Sequence, residues 1–338
     1  MIAYKHTKKG ELTQVTIPYA KVVEPSIAKV RIEKALISYG DCEALASEQT
    51  SDFSLGRYAV GSVAELATSQ SYLAKSSRVA ISSTLYCNDC YNCKSNNKEC
   101  CIDLKYLSRD YNGIYQNFAD LPLDCLYQLP DSVSFTDGLF IEFISLGLNT
   151  LDAIKIKKGE HVAIMCDTKL GLLIAQLVLY YGAIPILVQQ DEQIINLAKQ
   201  MGIFYAFNYK STSEVDKNIF TLTGGRMCEK MIYVRECRYP IKNITNLCAP
   251  YSSICLCMCN REKEIFNTAE IVNKNITLVG LNNSLGNFPT AINLLATKQI
   301  SIGYLIGDTI KMSSLATAMP LITKEQLNTK CMIVEMDL

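Results

Sequence analysis

The sequence predicts an α/β protein in two parts, an irregular β domain followed by a parallel, doubly wound sheet, and three observations carry that expectation. Before about residue 130, short apolar alternations such as Val30-Arg31-Ile32 and Val79-Ala80-Ile81 are separated by turn-rich stretches, the signature of short strands. From Gly159 the pattern changes. Val162 to Cys166 is a continuous apolar strand, Leu170 to Tyr181 a helix with apolar residues at helical spacing, Ile184 to Gln189 a second strand and Glu192 to Met201 a second helix. Strand, helix, strand, helix within about forty residues is the unit of a parallel sheet covered by helices. Third, 338 residues with 49% apolar content suffice for two large cores. Later strands are expected at Lys230 to Arg235, Ile254 to Met258 and Ile276 to Leu281. Pro185 falls inside the second strand, where its missing N–H predicts a bulge or an edge.

Within the β part lies a loop with four closely spaced thiols, Cys87-x2-Cys90-x2-Cys93-x7-Cys101. Cysteines two residues apart let a tight turn present two sulfurs to one ion, and four thiolates suit tetrahedral Zn²⁺. The residues between them, among them Asn88, Asp89, Asn92, Asn96 and Asn97, form turns and cannot build a core, so a metal would supply the order. An iron–sulfur cluster is the chemical competitor, but its familiar form places the fourth cysteine three residues on and follows it with proline, and neither is present. Free thiols are the remaining alternative. Cys100 is the spare neighbour of Cys101.

Lys+Arg and Asp+Glu balance at 33 each, and no run of like charge points to nucleic acid or an anionic membrane. Met1 to Glu11 has no apolar signal segment, and no stretch is long enough to span a membrane, so a cytoplasmic location is expected. The 15 cysteines, an odd number, suit a reducing compartment. Cys255, Cys257 and Cys259 alternate along a strand and are read as small buried hydrophobes rather than a second metal site.

These pieces together resemble the zinc-containing medium-chain dehydrogenases and reductases, which include alcohol, sorbitol and threonine dehydrogenases. The resemblance rests on the cysteine spacing, on Leu126-Tyr-Gln-Leu-Pro-Asp-Ser-Val133 leading to Ile141-Glu142, on the unit from Gly159 to Leu197, on Thr223-Gly-Gly-Arg226 and on the ending Lys330 to Met336. It implies a GroES-like domain at residues 1–148 and 286–338, carrying the zinc loop 87–101, and a Rossmann-type domain at 149–285. It also implies a small-molecule substrate, a nicotinamide cofactor, NAD or NADP, and a homodimer or homotetramer.

The family's catalytic zinc ligands are largely replaced. Its Cys-Gly-x-Asp stretch reads Tyr39-Gly40-Asp41-Cys42, and its Gly-His-Glu reads Gly56-Arg57-Tyr58; only Glu142 keeps a metal-binding side chain. The two histidines do not rescue the site, since His6 lies in the first strand and His161 opens the first Rossmann strand, where a solvated ring is expected. Catalytic zinc is therefore expected to be absent. Arg57 is expected to pair with Glu142 and take over part of the ion's electrostatic role, with Tyr39 or Tyr58 giving or taking the proton and the arginine lowering the phenol's pKa. The alternative is a structural ion pair in a dead cleft.

The dinucleotide fingerprint is also eroded. G-x-G-x-x-G appears as Cys166-Asp167-Thr168-Lys169-Leu170-Gly171, with only the last glycine retained, so Thr168, Lys169, Leu170 and Gly171 are the candidate phosphate-binding residues. Asp167 facing a phosphate would cost roughly 3–4 kcal/mol unless it points away. Gln189 stands where the family's ribose-binding acid stands, and aspartate in its place is expected to favour NAD(H). The expected function is a NAD(P)-dependent oxidoreductase acting on a small alcohol, polyol or carbonyl compound without catalytic zinc. The alternative is a non-catalytic binding or partner subunit that keeps the fold and the structural zinc. No motif supports an enzyme of another class.

Overall fold

The computed structural model describes residues 1–67, 71–235, 237–258, 265–323, 326–327 and 331–337. Cys259 and Lys330, named above, lie outside the described residues. The chain divides into two compact units, Met1–Glu142 with Phe288–Leu338, and Phe143–Asn287.

The first unit is built on a seven-stranded sheet. Its strands run in the order Ile306–Lys311, Cys331–Glu335, Ile27–Ile37, Tyr58–Leu66, Arg78–Ile81 and Leu126–Gln128, with Phe118–Pro122 also pairing on Ile27–Ile37. The alternation read at Val30 to Ile32 holds, because Val30 and Ile32 are buried and Arg31 between them is exposed. The end of the chain returns to this sheet, Ile333 pairing antiparallel with Leu36. Val30, Val63, Val79, Ile81 and Leu121 share its core with Val334 from that last strand.

The second unit carries six parallel strands in the order Tyr205–Phe207, Ile184–Val188, His161–Met165, Cys228–Val234, Cys248–Cys257 and Thr277–Leu281. His161–Met165 is buried along its whole length, which is why it reads as one apolar run. Pro185 makes no bulge. It pairs in regular register with Val162, while the ladder with Tyr205–Phe207 begins only at Ile186. Pro185 thus lies one residue short of that neighbour, where a missing N–H breaks no ladder bond. Cys255 and Cys257 are fully buried, as small hydrophobes are. His161 is not solvated. It is 7% exposed, and its Nδ1 lies 3.4 Å from Glu229 Oε2, because the position opens a strand that is covered on both faces. Among the described residues no helix is long and apolar enough to cross a membrane.

Candidate functional site

The four loop cysteines converge. Thr84–Leu85 and Lys105–Tyr106 pair antiparallel and pinch the loop at its base. Asn88 and Asn96 take the left-handed conformation, with φ of 59° and 62°, as asparagine tolerates better than most residues. Cys90 caps the short helix Tyr91–Lys94 with its own sulfur. The Sγ atoms of Cys87, Cys90, Cys93 and Cys101 all lie within 4.8 Å of one another, Cys87 to Cys101 at 3.5 Å and Cys87 to Cys93 at 3.9 Å. A tetrahedral ion with bonds of about 2.3 Å to sulfur needs sulfur–sulfur edges of about 3.8 Å, so the donor set fits zinc. The backbone favours thiolates here: Cys90 N donates to Cys87 Sγ at 3.4 Å and Cys93 N to Cys90 Sγ at 3.5 Å. The N–H groups of Cys93 and Ile102 bring the Cys90 thiol down to about 6, whereas burial pushes the Cys93 thiol up to about 12. Cys100 is exposed, outside this group.

At the position of the family's catalytic metal, the side chains are arranged differently from the expectation. Helix Tyr39–Ala46 starts at the residue in the first ligand position, capped by Ser38, with Asp41 completing a capping box. Asp41 is wholly buried. Its Oδ2 accepts from Ser38 N at 2.9 Å, Ser38 Oγ at 2.6 Å and Tyr115 OH at 3.1 Å, and its Oδ1 is buried with no hydrogen-bond partner. Burial raises the carboxyl's pKa, opposed in part by the Ser38 hydrogen bonds and the charge of Arg57. Gly56 aims the next residue: with φ at +97° and a would-be Cβ only 2.7 Å from Tyr115 and Ile114 side-chain atoms, no other residue fits the turn. Arg57 leans over Gly40, whose would-be Cβ falls 3.4 Å from Arg57 Nη1.

Glu142 is held by Ser83, whose N donates to Oε2 at 3.0 Å and whose Oγ donates to Oε1 at 2.6 Å. Both carboxylate oxygens are thus bonded to Ser83, and the Arg57 charge acts on Asp41 and on Tyr58. Tyr58, Glu142, Ala80 and Phe288 pack around a gap too small for a water molecule. The expected lowering of the phenol fails at Tyr58. Burial and the Glu142 charge push its pKa well up, and Arg57 offsets only part of this, so Tyr58 stays protonated and can donate a hydrogen bond. Tyr39 is half-buried at the start of its helix. Sequence reading missed Asp41 and Ser83. The Ser38-x-x-Asp41 spacing could have revealed the first, but nothing local points to the second.

In the second unit, Gly171 earns its retention: a Cβ there would lie 3.0 Å from Leu187 Cδ1 and 3.1 Å from Cys166 Cβ, so glycine lets helix Leu170–Tyr180 close on the sheet. Its N-cap residue, Lys169, makes no side-chain cap, and the first N–H groups turn back on the loop, Gly171 N donating to Thr168 O at 3.1 Å and Leu172 N to Lys169 O at 3.1 Å. Asp167 does not face them. Its Oδ2 accepts from Arg238 N at 2.6 Å, and its Oδ1 is buried. Burial raises its pKa, opposed in part by the Arg238 N–H and the Arg238 charge. Gln189, 0% exposed, turns inward: Nε2 donates to Cys166 O at 2.9 Å and Thr168 O at 3.4 Å, and Oε1 accepts from Gln190 N at 2.8 Å and Asp191 N at 3.2 Å. Gln189 therefore braces the loop and is spent as a ribose ligand. Thr168 Oγ1 accepts from Leu170 N at 3.4 Å, and the Cys166 thiol lies 3.3 Å from it, so the loop is partly tied within itself. The averted Asp167 leaves room for a dinucleotide at this helix start, where the N–H groups of Leu170, Gly171 and Leu172 would have to exchange loop acceptors for its phosphates.

Comparison with known proteins adds the following. Residues 24–131 match the alcohol dehydrogenase GroES-like domain and residues 170–297 the zinc-binding dehydrogenase domain. An uncharacterized zinc-type alcohol dehydrogenase-like protein of Haemophilus influenzae is 29% identical over 70% of this chain and 69% of its own length. The sorbitol dehydrogenase of Bacillus subtilis is 23% identical over 79% of this chain and 76% of its own. A short chain alcohol dehydrogenase from E. coli CFT073, solved with NADH, superposes with a TM-score of 0.87 at 20% identity, covering 99% of both chains, a likeness of fold.

Proposed function

The chain belongs to the zinc-containing medium-chain dehydrogenase/reductase family, and on that premise we propose that it is an oxidoreductase whose single zinc is structural and whose active centre works without one. Cys87, Cys90, Cys93 and Cys101 would hold that zinc and order the loop. The substrate is a small alcohol, polyol or carbonyl compound, and the redox partner a nicotinamide dinucleotide, which when bound supplies the two-electron exchange. Thr168, Lys169, Leu170 and Gly171 would hold its phosphates at the helix N-terminus.

One observation supports the reading: Arg57 and Tyr58 occupy the stretch that the resemblance assigns to the family's metal ligands, and Arg57 lies against Gly40 from the other such stretch. Arg57, aimed by Gly56 and seated on Gly40, can polarise a substrate oxygen. Tyr58, kept protonated, can donate a hydrogen bond to a substrate oxygen, and Tyr39, at the start of its helix, is the second candidate phenol for the proton. Glu142, bound at both oxygens by Ser83, helps keep Tyr58 protonated through its charge. Assembly as a homodimer or homotetramer in the cytoplasm is part of the same proposal. The test is titration with NADH and NADPH, read by fluorescence and thermal shift, alongside elemental analysis. One zinc per chain with binding of a dinucleotide supports the reading. A second zinc overturns the zinc-free centre.

A second reading has its own observation. Gln189 and Cys166 tie the fingerprint loop to itself, as suits a chain that keeps the fold as a binding or partner subunit. Failure of both dinucleotides to bind would put that reading first.

A further inference from the structure

We propose that Arg238 selects the cofactor, and that the chain takes the dinucleotide carrying a 2′-phosphate. The proposal rests on the dinucleotide reading above. In a doubly wound sheet the ligand lies beyond the carboxyl ends of the strands, where the order reverses, here between His161–Met165 and Cys228–Val234. The residue after Ile184–Val188 is the one that meets the adenosine ribose. In this chain it is Gln189, buried and turned inward, so no acid stands there to bind a free ribose diol or to repel a phosphate.

The loop after Cys228–Val234 brings a cation to that point. Arg238 is exposed, its backbone N anchored on Asp167 at 2.6 Å and its Nη1 donating to Gln190 Oε1 at 3.4 Å. The guanidinium is thereby placed beside the residue that follows Gln189. Arginine's planar fork suits a phosphate, and its contact with a neutral amide leaves that preference in place. A cavity of about 380 Å³ adjoins it, lined by Arg238, Lys242, Tyr233, Cys237 and Pro240 and so carrying a second cation.

Among the described residues the nearby carboxylates are already bonded, with Asp167 on Arg238 itself. Asp191 caps the helix Glu192–Gln200 by accepting from Gln193 N at 2.8 Å, and Glu192 Oε1 accepts from Asn208 Nδ2 at 3.0 Å. Asp167 is held by Arg238 N. None of the three is disposed as the family's ribose acid is.

Calorimetric titration with 5′-AMP and adenosine 2′,5′-bisphosphate isolates the extra phosphate, and NADH against NADPH repeats the comparison on whole cofactors. The bisphosphate should bind at least about tenfold tighter than AMP, a preference that falls to within about threefold in Arg238→Ala and partly survives in Arg238→Lys. Melting temperature should not move, because the fold contact of Arg238 is its backbone N–H. Equal binding of the two nucleotides, or a preference that persists in Arg238→Ala, overturns the proposal. NADH binding as well as NADPH sinks this selection while the dinucleotide reading stands. If neither dinucleotide binds, both fall.

Discussion

Replacing Gln189 by leucine keeps the side-chain volume and removes every polar atom, which makes it a direct measure of how firmly the fingerprint loop is braced. Three of the four bonds are short, Nε2 to Cys166 O at 2.9 Å and Oε1 to Gln190 N at 2.8 Å and Asp191 N at 3.2 Å. Each contributes about 0.5–1.5 kcal/mol net, or about 1.5–4.5 kcal/mol together. Gln190 and Asp191 are partly exposed, so water can recover some of their loss, whereas Cys166 is buried and its carbonyl would be stranded. The expected cost is therefore about 2–3 kcal/mol. Urea unfolding combined with hydrogen exchange at residues 161–191 reads this unit separately from the other. A loss below about 0.5 kcal/mol, with unchanged exchange at the loop, would refute the bracing argument. The same geometry reverses the expectation for Gln189→Asp. Its carboxylate, one methylene shorter, would donate nothing to Cys166 O, so it should loosen the loop rather than favour NAD(H).

Two further predictions follow from the first unit. Cys93→Ser should reduce zinc below one per chain and raise exchange across residues 87–101 while protection of the parallel sheet persists; iron with visible absorption in the parent protein would sink the zinc assignment. Asp41 gives a pH dependence whose sign is set by burial: its folded pKa is raised above the unfolded value of about 3.9, so its contribution is full below about pH 4 and is lost as pH rises through the folded value. Relative to Asp41→Asn, the parent should lose unfolding free energy over that window, and a pH-independent difference between the two would show that the carboxyl is not perturbed.

What was legible in the sequence was what depends on local pattern. The parallel strands were readable because burial on both faces demands unbroken apolar runs such as His161–Met165, and the cysteine loop because ligand spacing is itself local. The candidate site was legible in position but not in direction. Alignment put Arg57 and Glu142 at neighbouring places, yet a side chain bonds to the best partner within reach. For Glu142 that partner is Ser83, 59 residues away in the chain. Gln189 shows the same limit more sharply. Its place at the end of the second strand suggested a ligand-reading residue, while the groups it serves are backbone carbonyls, those of Cys166 and Thr168, which no residue type announces. Arg238 comes from a loop 71 residues beyond Asp167, with no sequence signal tying it to the ribose end of the crevice. If Arg238 selects the cofactor as proposed, one recognition element is lost and another comes from a distant loop, which leaves no motif in the sequence and makes cofactor choice a property of the folded ends of the strands.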